Sequence, residues 1–316
     1  MNRTMGRACD LLAIGDPCAD LVFRTERLPA WDDKARGEAL GLFGGGTEAN
    51  AACVAARLGW RSALFGQTGD DLHADFIRRD LAGHGVMLQH LRRCAGSASS
   101  LAIVAVSPQG ERSVVWLPPG GALPADAAAT RPLLDAALAD SRWAYTMPYA
   151  AEPLADLAVR TARSGTRLAI DLEREGVLSL DSRLPTLLLH CDIAFLNRSG
   201  FEAATGTAPD AASLKALCRM ARAHTVVVTL GADGAMAADR DEGFATQAAC
   251  PAAVVDATGA GDTFNASFLV ARDRGALLGS ALAQACRAAS RSVAVWGARG
   301  ALATFQPADA GRDNLP

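Results

Sequence analysis

The segment from Asp256 to Ala266 combines the residue types that phosphoryl transfer requires. It reads Asp-Ala-Thr-Gly-Ala-Gly-Asp-Thr-Phe-Asn-Ala and follows the apolar run Ala252–Val255. A turn of small residues at the start of a helix exposes backbone N–H groups, and these groups form an anion site together with the positive helix end. Asp262 falls in the first helical turn, where we expect the same field to lower its pKa and keep the carboxylate ionised.

An ionised Asp262 would repel a phosphate group that is merely bound. Beside an anion site it can instead accept the proton of an attacking hydroxyl group, while the backbone of Gly259, Ala260 and Gly261 stabilises the charge that develops on the phosphoryl group. A helix N-cap with glycines for a tight turn is the alternative interpretation. The length of the matching segment favours the catalytic interpretation.

A second glycine run, Gly44-Gly45-Gly46-Thr47-Glu48-Ala49-Asn50, precedes the predicted helix Ala51–Leu58. It satisfies the Gly-x-Gly-x-x-Ala pattern of a dinucleotide-binding turn, so a nicotinamide-dependent oxidoreductase using Gly44–Ala49 is one alternative function. Two features weigh against it. The run does not follow the first predicted strand, and no acidic residue closes a second strand about 20 residues later.

Short β-rich runs alternate with longer amphipathic stretches along the chain. Strands are predicted at Asp10–Ile14, Ser62–Phe65, Trp143–Thr146, Arg167–Asp171, Asp192–Leu196 and Thr225–Leu230. Helical spacing of Leu, Ala and Val occurs at Leu154–Arg163, Ala211–Arg222 and Ala276–Val295. This alternation is typical of βαβ units, so we expect a mostly parallel sheet flanked by helices.

Two segments interrupt that alternation. Leu21–Phe43 has short alternating apolar runs, and Ser99–Leu117 indicates the strands Leu101–Val106 and Ser113–Leu117 around a turn. We expect these antiparallel excursions to pair with each other as a small lid. A lid suits phosphoryl transfer because it keeps water away from the reactive phosphate.

The overall composition excludes several other functions. The 316-residue chain has a net charge of −3 and only two lysines, so it offers no broad positive field to nucleic acid. We find no signal peptide and no segment long and apolar enough to span a membrane, and expect a cytoplasmic protein. The eight cysteines contain no Cys-x-x-Cys pair. This argues against a zinc site or a disulfide framework and predicts reduced, mostly buried thiols.

The two glycine segments resemble the signatures of the ribokinase (PfkB) family of carbohydrate kinases. The family's C-terminal signature is Asp-Thr-x-Gly-Ala-Gly-Asp, from which only Ala257 departs. Its N-terminal signature matches Gly45-Gly46, Asn50 and Leu58-Gly59. The resemblance runs roughly from residue 11 to residue 303. It implies one α/β ribokinase-like domain over residues 1–316, with lid segments at about 18–43 and 97–118.

The resemblance assigns roles to individual residues. It implies Asp262 as the catalytic base and an anion hole made by Gly259, Ala260 and Gly261. It implies sugar binding by Asp20, Gly45, Gly46, Thr47, Asn50 and Arg112. It implies nucleotide binding by Asn197, Thr229, Gly231, Gly234, Gly259 and Gly261. Asp20 as a mere turn residue and Arg112 as a solvated hairpin arginine are the structural alternatives.

One position departs from the family in the segment that follows Asn197. The family pattern there is Asn-x-x-Glu, and Gly200 stands at the Glu position. In most members that Glu helps to organise magnesium and its water shell, so the resemblance leaves the metal ligands of this chain open. Ketohexokinase-like members also lack the full motif, and Gly261–Ser267 is similar to theirs. A non-catalytic sugar and nucleotide sensor on the same fold is a second alternative, which Gly200 favours and Asp262 opposes.

The resemblance also implies ligands and partners. It implies ATP and Mg²⁺ as cofactors and a monovalent cation, K⁺, near Asp256. The acceptor is expected to be a sugar or sugar-like compound: a ketohexose, a modified fructose, ribose, a nucleoside or a sugar acid all remain open. Thr47 and Glu48 are expected to tune that choice. Pairing of a lid strand between two subunits would give a homodimer.

Overall fold

A large twisted sheet forms the centre of the molecule. The computed structural model describes residues 6–109, 112–119, 130–148, 151–180, 188, 191–221 and 223–306. Within these residues the large sheet contains nine strands: β1 (Cys9–Ile14), β4 (Ser62–Thr68), β5 (Leu91–Arg93), β8 (Ser141–Thr146), β9 (Arg167–Leu172), β10 (Ile193–Asn197), β11 (Thr225–Thr229), β12 (Ala235–Asp239) and β13 (Gly243–Gln247). Their order is β13-β12-β11-β10-β9-β8-β1-β4-β5. The sheet is parallel except at β12, which runs antiparallel to both of its neighbours.

Helices cover both faces of this sheet. They are α1 (Thr47–Arg57), α2 (Leu72–Gly83), α3 (Arg131–Ala139), α4 (Ala151–Ser164), α5 (Arg174–Leu180), α6 (Arg198–Thr205), α7 (Ala211–Ala221), α8 (Ala260–Asp273) and α9 (Leu278–Ser292). Successive strand residues point to opposite faces, so Val227 packs in the core with α1, α8 and α9, whereas Val226 and Val228 pack in the core with α3, α4 and α7. Because both faces of these strands are buried, their sequences are continuous apolar runs.

The lid is a second sheet of four strands: β2 (Cys18–Thr25), β3 (Gly37–Gly45), β6 (Ser100–Val106) and β7 (Arg112–Leu117). Their order is β3-β2-β6-β7. Pairing between the two predicted lid segments is thus confirmed, although β2 and β6 join in parallel rather than antiparallel fashion. Residue 110, the last of the predicted turn at 107–110, lies outside the described residues, as does residue 111. All six residues of β7 are exposed.

The predicted α/β fold is confirmed, and its boundaries need small corrections. The helix expected at Ala51–Leu58 begins at Thr47, so Glu48 and Asn50 lie in its first turn. The sequence did not predict strands β5, β12 and β13 or helices α2, α3, α5 and α6. All eight cysteines are unpaired and six of them are buried, as expected. In the described part of the chain no helix has the length and apolar character needed to cross a membrane.

Helix α8 is fixed at its C-terminal end by a buried carboxylate. Asp273 accepts hydrogen bonds from Arg142 at 2.6 Å, from the indole N–H of Trp143 at 2.9 Å, and from Arg167. The guanidinium of Arg167 also stacks over the Trp143 ring, 4.1 Å from its centroid. Arg142, Trp143 and Arg167 belong to β8 and β9, so these contacts attach the end of α8 to the sheet.

Candidate active site

A cavity of about 520 Å³ lies where the carboxyl ends of the parallel strands face the lid. Ile14, Asn197 and Thr229, at the ends of β1, β10 and β11, line its floor, and Trp116 of β7 lines it from the lid. The crevice outside the carboxyl ends of the strands is the usual ligand site of open α/β sheets. The topology therefore places the predicted motifs around one cavity.

Asp262 lies on the cavity wall in the first turn of α8. Gly259, which precedes this helix, has a φ of 72°, and a Cβ there would overlap Ala298. Only glycine adopts this left-handed turn without strain while packing so closely. At Gly261 nothing lies within 4 Å of the position that a Cβ would take, so its backbone is open to a ligand. Ala260 begins the helix but does not line the cavity.

The expected low pKa of Asp262 is wrong. Burial raises the pKa of this carboxyl to about 7, and the nearby carboxylates of Glu173 and Asp20 act in the same direction. The hydrogen bond from Asn50 and the charge of Arg299 oppose this rise without cancelling it. Loss of water therefore outweighs the field of the helix end, which is worth only about 0.3–1 kcal/mol.

A buried arginine fixes the groups around Asp262. Arg299 is 6% exposed, and its Nε donates to Oδ1 of Asn50 at 2.9 Å. Its other nitrogens donate to the backbone oxygen of Gly45 at 2.8 Å and to the Asp80 carboxylate. Since Oδ1 of Asn50 accepts from this guanidinium, the amide nitrogen must point the other way. Nδ2 of Asn50 donates to Oδ2 of Asp262 at 2.6 Å.

This network changes the expected role of Asn50. We expected its amide to offer one donor and one acceptor to sugar hydroxyls, but both ends already contact protein groups. Its second amide hydrogen is the group that can still reach a ligand. Asn50 therefore connects Arg299 to Asp262, and Arg299 holds the Asn50 amide in that orientation.

The remaining predicted sugar residues lie on the same wall. Asp20, Gly46 and Thr47 line the cavity. Gly45 does not, but a Cβ at Gly45 would overlap the Asp20 carboxylate. This glycine makes room for a protein carboxylate, whereas we expected it to make room for the sugar. Burial raises the pKa of Asp20.

Arg112 of the lid contacts the loop that precedes Asp262. Its guanidinium donates to the Thr258 hydroxyl and lies 3.5 Å from Oδ1 of Asp256. Asp256 also accepts hydrogen bonds from the backbone and side chain of Thr258, at 2.9 and 2.6 Å, and from the backbone of Gly297 at 2.9 Å. The side chain of Arg112 therefore reaches from the lid to the loop before Asp262 and places a positive charge there.

A second acidic group lies at the end of β9. Tyr145 and Asn265 donate to Oδ2 of Asp171 at 3.1 and 2.9 Å. Burial raises the pKa of Asp171 to about 8 and also raises the pKa of Glu173. Asp171, Glu173 and Asn265 all line the cavity. Among the residues that the structure describes, none forms a hydrogen bond with the buried Oδ1 of Asn265.

The predicted nucleotide residues follow β10 and β11. Asn197 caps α6 by accepting from the backbone N–H of Gly200 at 2.7 Å, and both Asn197 and Thr229 line the cavity. Gly231 and Gly234 lie in the turn between β11 and β12 and do not line it. A Cβ at Gly200 would overlap the backbone oxygen of Leu172, so the neighbouring strand leaves no room for the family's Glu.

The dinucleotide interpretation of Gly44–Ala49 is not supported. Gly44 and Gly45 end β3, a strand of the lid that pairs antiparallel with β2, whereas a dinucleotide turn follows a strand of the parallel sheet. The first turn of α1 holds the buried side chain of Glu48. A carboxyl group at that helix end opposes the binding of pyrophosphate.

Several site residues escaped prediction from the sequence. Arg299 stands in a run of glycine and alanine with no periodic pattern that could have indicated burial. Asp171 ends a predicted strand, and only the strand order brings it to the cavity. Asn265 could have been found, because it follows Asp262 by three residues and so lies on the same face of α8.

Comparison with known proteins agrees with this geometry. The chain matches the model of the pfkB family carbohydrate kinases over residues 9–304. Ribokinase of Arabidopsis thaliana is 29% identical over 296 residues, which cover 91% of this chain and 77% of the relative. Fructoselysine 6-kinase of Shigella flexneri is 28% identical over 296 residues, which cover 91% of this chain and 98% of the relative.

Solved structures give the same result. Arabidopsis thaliana ribokinase, solved as a complex with ribose and ATP, has a TM-score of 0.77 and 25% identity, covering 95% of this chain and 96% of that chain. The similarity to ketohexokinase-like members stays a prediction. Because the family model spans nearly the whole sequence, the chain belongs to the pfkB family of carbohydrate kinases.

Proposed function

We propose that this protein transfers the terminal phosphoryl group of ATP to a sugar hydroxyl, with Asp262 as the general base. The observation that supports this most is the chain of contacts from Arg299 through Asn50 to Asp262 on the wall of the cavity. A carboxylate that only capped a helix would not need a buried arginine to orient its neighbour. ATP as the donor is supported by the ribokinase relative that was solved with ribose and ATP.

The two carboxylate oxygens of Asp262 have different roles in this proposal. Oδ2 is held by the amide of Asn50, so Oδ1 is left to take the proton from the acceptor hydroxyl. The open backbone at Gly261, with Gly259 and Ala260, faces the charge that develops on the transferred group. With a pKa of about 7, Asp262 is ionised in a large fraction of molecules at neutral pH and becomes fully ionised above it.

We assign the other predicted residues to the two substrates. Asp20, Gly45, Gly46, Thr47, Asn50 and Arg112 bind or shape the site for the sugar. Asn197, Thr229, Gly231, Gly234, Gly259 and Gly261 serve the nucleotide. The lid segments at about 18–43 and 97–118 close the cavity, and residues 1–316 act as one domain. Arg112 completes the site from the lid, because it contacts the loop that leads to Asp262.

The residues at the end of β9 fit a magnesium ion with its water shell. Mg²⁺ prefers oxygen ligands, keeps several waters and needs few carboxylates. Asp171 and Glu173 supply carboxylates on the cavity wall, and the unpartnered Oδ1 of Asn265 supplies a further acceptor. We propose that these groups replace the Glu that is missing at Gly200. When bound with ATP, Mg²⁺ would offset the negative charge of the phosphates.

The surroundings of Asp256 do not fit a monovalent cation. Its two oxygens already accept three hydrogen bonds, and the guanidinium of Arg112 lies 3.5 Å away. Asp256 instead holds the anion-hole loop to the segment at Gly297. No step of the proposed mechanism therefore depends on K⁺.

An ADP-release assay over sugars and nucleosides tests this function. We expect turnover that requires Mg²⁺ and an acceptor, and that is lost in Asp262→Asn. Binding of sugar and nucleotide without turnover in any Mg²⁺ concentration would instead support the non-catalytic sensor. Hydride transfer to a nicotinamide nucleotide in the same preparations would support the oxidoreductase.

We also propose that two copies pair through the outer face of the lid. Four residues at equivalent positions on neighbouring strands form an apolar row across that face: Leu42, Leu21, Ile103 and Val115. Leu21 and Val115 are 42% and 57% exposed. A second copy related by a twofold axis would cover this row with its own. Light scattering should give a dimer for the wild type and a monomer for Val115→Glu, whereas a monomeric wild type would refute the pairing.

A further inference from the structure

Glu48 is a buried acid that the transfer mechanism does not use. It is 5% exposed, lines the cavity, and lies in the first turn of α1. Its Oε1 accepts a hydrogen bond from the backbone N–H of Met147 at 2.9 Å. The carboxyl group packs against Gly15, where a Cβ would overlap it. The fold therefore reserves space for this side chain.

The charges around Glu48 are unbalanced. Seven acidic residues line the cavity: Asp16, Asp20, Glu48, Asp156, Asp171, Glu173 and Asp262. Arg112 is the one basic residue among the lining residues that the structure describes, and it is engaged by Asp256 and Thr258. Arg299, behind the wall, is engaged by Asn50, Gly45 and Asp80. Neither arginine neutralises Glu48, and its burial, together with the nearby Asp16 carboxylate, raises the pKa of Glu48 to about 8. A cation placed beside it would favour the ionised form.

Part of the cavity lining near Glu48 is apolar and is called the apolar arm below. Glu48 contacts Met147, which belongs to this part, and Gly15, which follows Ile14 in the chain. The apolar lining residues are Ile14, Phe65, Leu134, Met147, Leu154 and Leu157. Asp20 and Asn50 line the same cavity, and Asn50 contacts Asp262. Glu48 thus shares this cavity with both the proposed sugar-binding residues and the apolar residues.

Resting on the proposed kinase function, we propose that the acceptor is a sugar with a cationic nitrogen that carries an apolar substituent. The sugar hydroxyls meet Asp20 and Asn50, the ammonium group pairs with Glu48, and the substituent occupies the arm. With a neutral sugar the carboxyl group of Glu48 keeps its proton at neutral pH, so no charge pair forms. A cationic nitrogen both satisfies this group and relieves its repulsion from Asp16.

Matched acceptors that differ in one atom test the proposal. One pair is 1-deoxy-1-(propylamino)-D-fructose and 1-O-propyl-D-fructose; the other is N-propyl-D-glucosamine and 2-O-propyl-D-glucose. On at least one scaffold we expect the amine to have a kcat/KM about 10–100-fold above that of the ether, the range of a hydrogen bond to a charged group. Glu48→Gln should remove this preference by weakening use of the amine. Glu38→Gln, an exposed residue paired with Arg24 on the lid, is the matched control and should keep it.

Binding of the same compounds to Asp262→Asn by calorimetry separates this proposal from the kinase function. Tighter binding of an amine that depends on Glu48, with no turnover in the wild type, would keep the ligand class and refute the kinase function. Equal use of amine and ether on both scaffolds, together with turnover, would refute the ligand class and keep the kinase function. Unchanged amine preference in Glu48→Gln would also refute it.

Discussion

The two walls of the cavity differ in how their polar groups are held. On the acceptor wall the half-buried Asp262 bonds to the buried Asn50, which Arg299 holds from behind the wall. On the nucleotide wall Asn197 and Thr229 are half-buried and contact backbone groups: Asn197 accepts from the N–H of Gly200, and Thr229 donates to the oxygen of Leu196. The acceptor wall is therefore preorganised before any ligand binds, whereas the nucleotide wall offers mainly backbone and turns.

This difference predicts which substitutions will have the largest effects on activity. Removing one member of the acceptor wall leaves a buried partner without its hydrogen bond, which costs about 1–3 kcal/mol or more for a charged group. Removing a member of the nucleotide wall loses one contact to backbone, such as the helix cap that Asn197 provides, which is worth about 0.5–2 kcal/mol. We therefore expect large changes in kcat and in acceptor use from the first wall, and smaller, more structural changes from the second.

Asp262→Asn should give the largest effect. The amide cannot take the proton of the acceptor hydroxyl, so we expect kcat to fall by about 10²–10⁴. The nucleotide Kd should stay within about twofold, because the shape of the anion-hole loop is kept. Stopped-flow turnover and calorimetry measure the two quantities, with Asp75→Asn, an exposed acid on α2, as control. Turnover near that of the wild type would remove Asp262 from the mechanism.

Arg299→Met should give the next largest effect, through Asn50. Loss of the guanidinium frees the Asn50 amide and removes a cation that lowers the pKa of Asp262. Because Asp262 must be ionised, kcat/KM of the wild type should fall as the pH drops through about 7, and the variant should lose activity at a higher pH. We expect kcat to fall by about 10–100-fold at pH 7.

A second variant separates an effect on catalysis from a loss of folding stability. Breaking a buried ion pair costs about 3–5 kcal/mol of folding stability, so Arg299→Lys, which keeps the charge, is compared with Arg299→Met. The lysine variant should retain a pH profile closer to that of the wild type. Identical pH profiles in all three proteins would show that Arg299 serves stability alone.

Asp20→Ala should affect the acceptor and spare the nucleotide. The loss of a carboxylate that accepts sugar hydroxyls should weaken acceptor kcat/KM by about 1–3 kcal/mol, or roughly 5–150-fold. The KM for ATP should change little, because Asp20 lies on the acceptor wall. Initial-rate kinetics with each substrate varied in turn measure both constants. An equal rise in the KM values for the acceptor and for ATP would refute the assignment of Asp20 to the acceptor wall.

Gly200→Ala should be the mildest for catalysis and should act on folding. Its Cβ would overlap the backbone oxygen of Leu172, and such overpacking costs about 1–3 kcal/mol of unfolding free energy. Gly279→Ala, at an open helical position, is the matched control and should be neutral or stabilising. Chemical denaturation compares them. For Gly200→Glu we expect greater destabilisation and no tighter response to Mg²⁺.

The fold was predictable because it depends on patterns that repeat. Strands such as Thr225–Thr229 read as apolar runs between amphipathic helices, and both lid hairpins interrupt that rhythm. The position of Asp262 on the cavity wall was predictable from its glycine neighbours, because a turn of small residues at a helix start indicates backbone that a ligand can approach. Local patterns were thus enough to predict a site residue where that residue and the helix or strand that positions it are adjacent in the sequence.

The rest depends on contacts between distant segments. Arg299 meets Asn50 and Asp80 from 249 and 219 residues away, and no local pattern encodes such a meeting. The pKa of Asp262 was expected to be low because the helix end is visible in the sequence, whereas its burial is not. The lack of room at Gly200 likewise arises from Leu172 on a neighbouring strand.

The fixation of helix α8 at both ends has a consequence for hydrogen exchange. Asp262 at its start is bonded to Asn50, and Asp273 at its end is bonded to the beginnings of β8 and β9. The helix therefore belongs to the unit that opens only when the whole protein unfolds. Strand β7, exposed along its length, should exchange by local opening. Closure around the substrates should then appear as slower exchange in β7, with the amides of α8 already at the global limit.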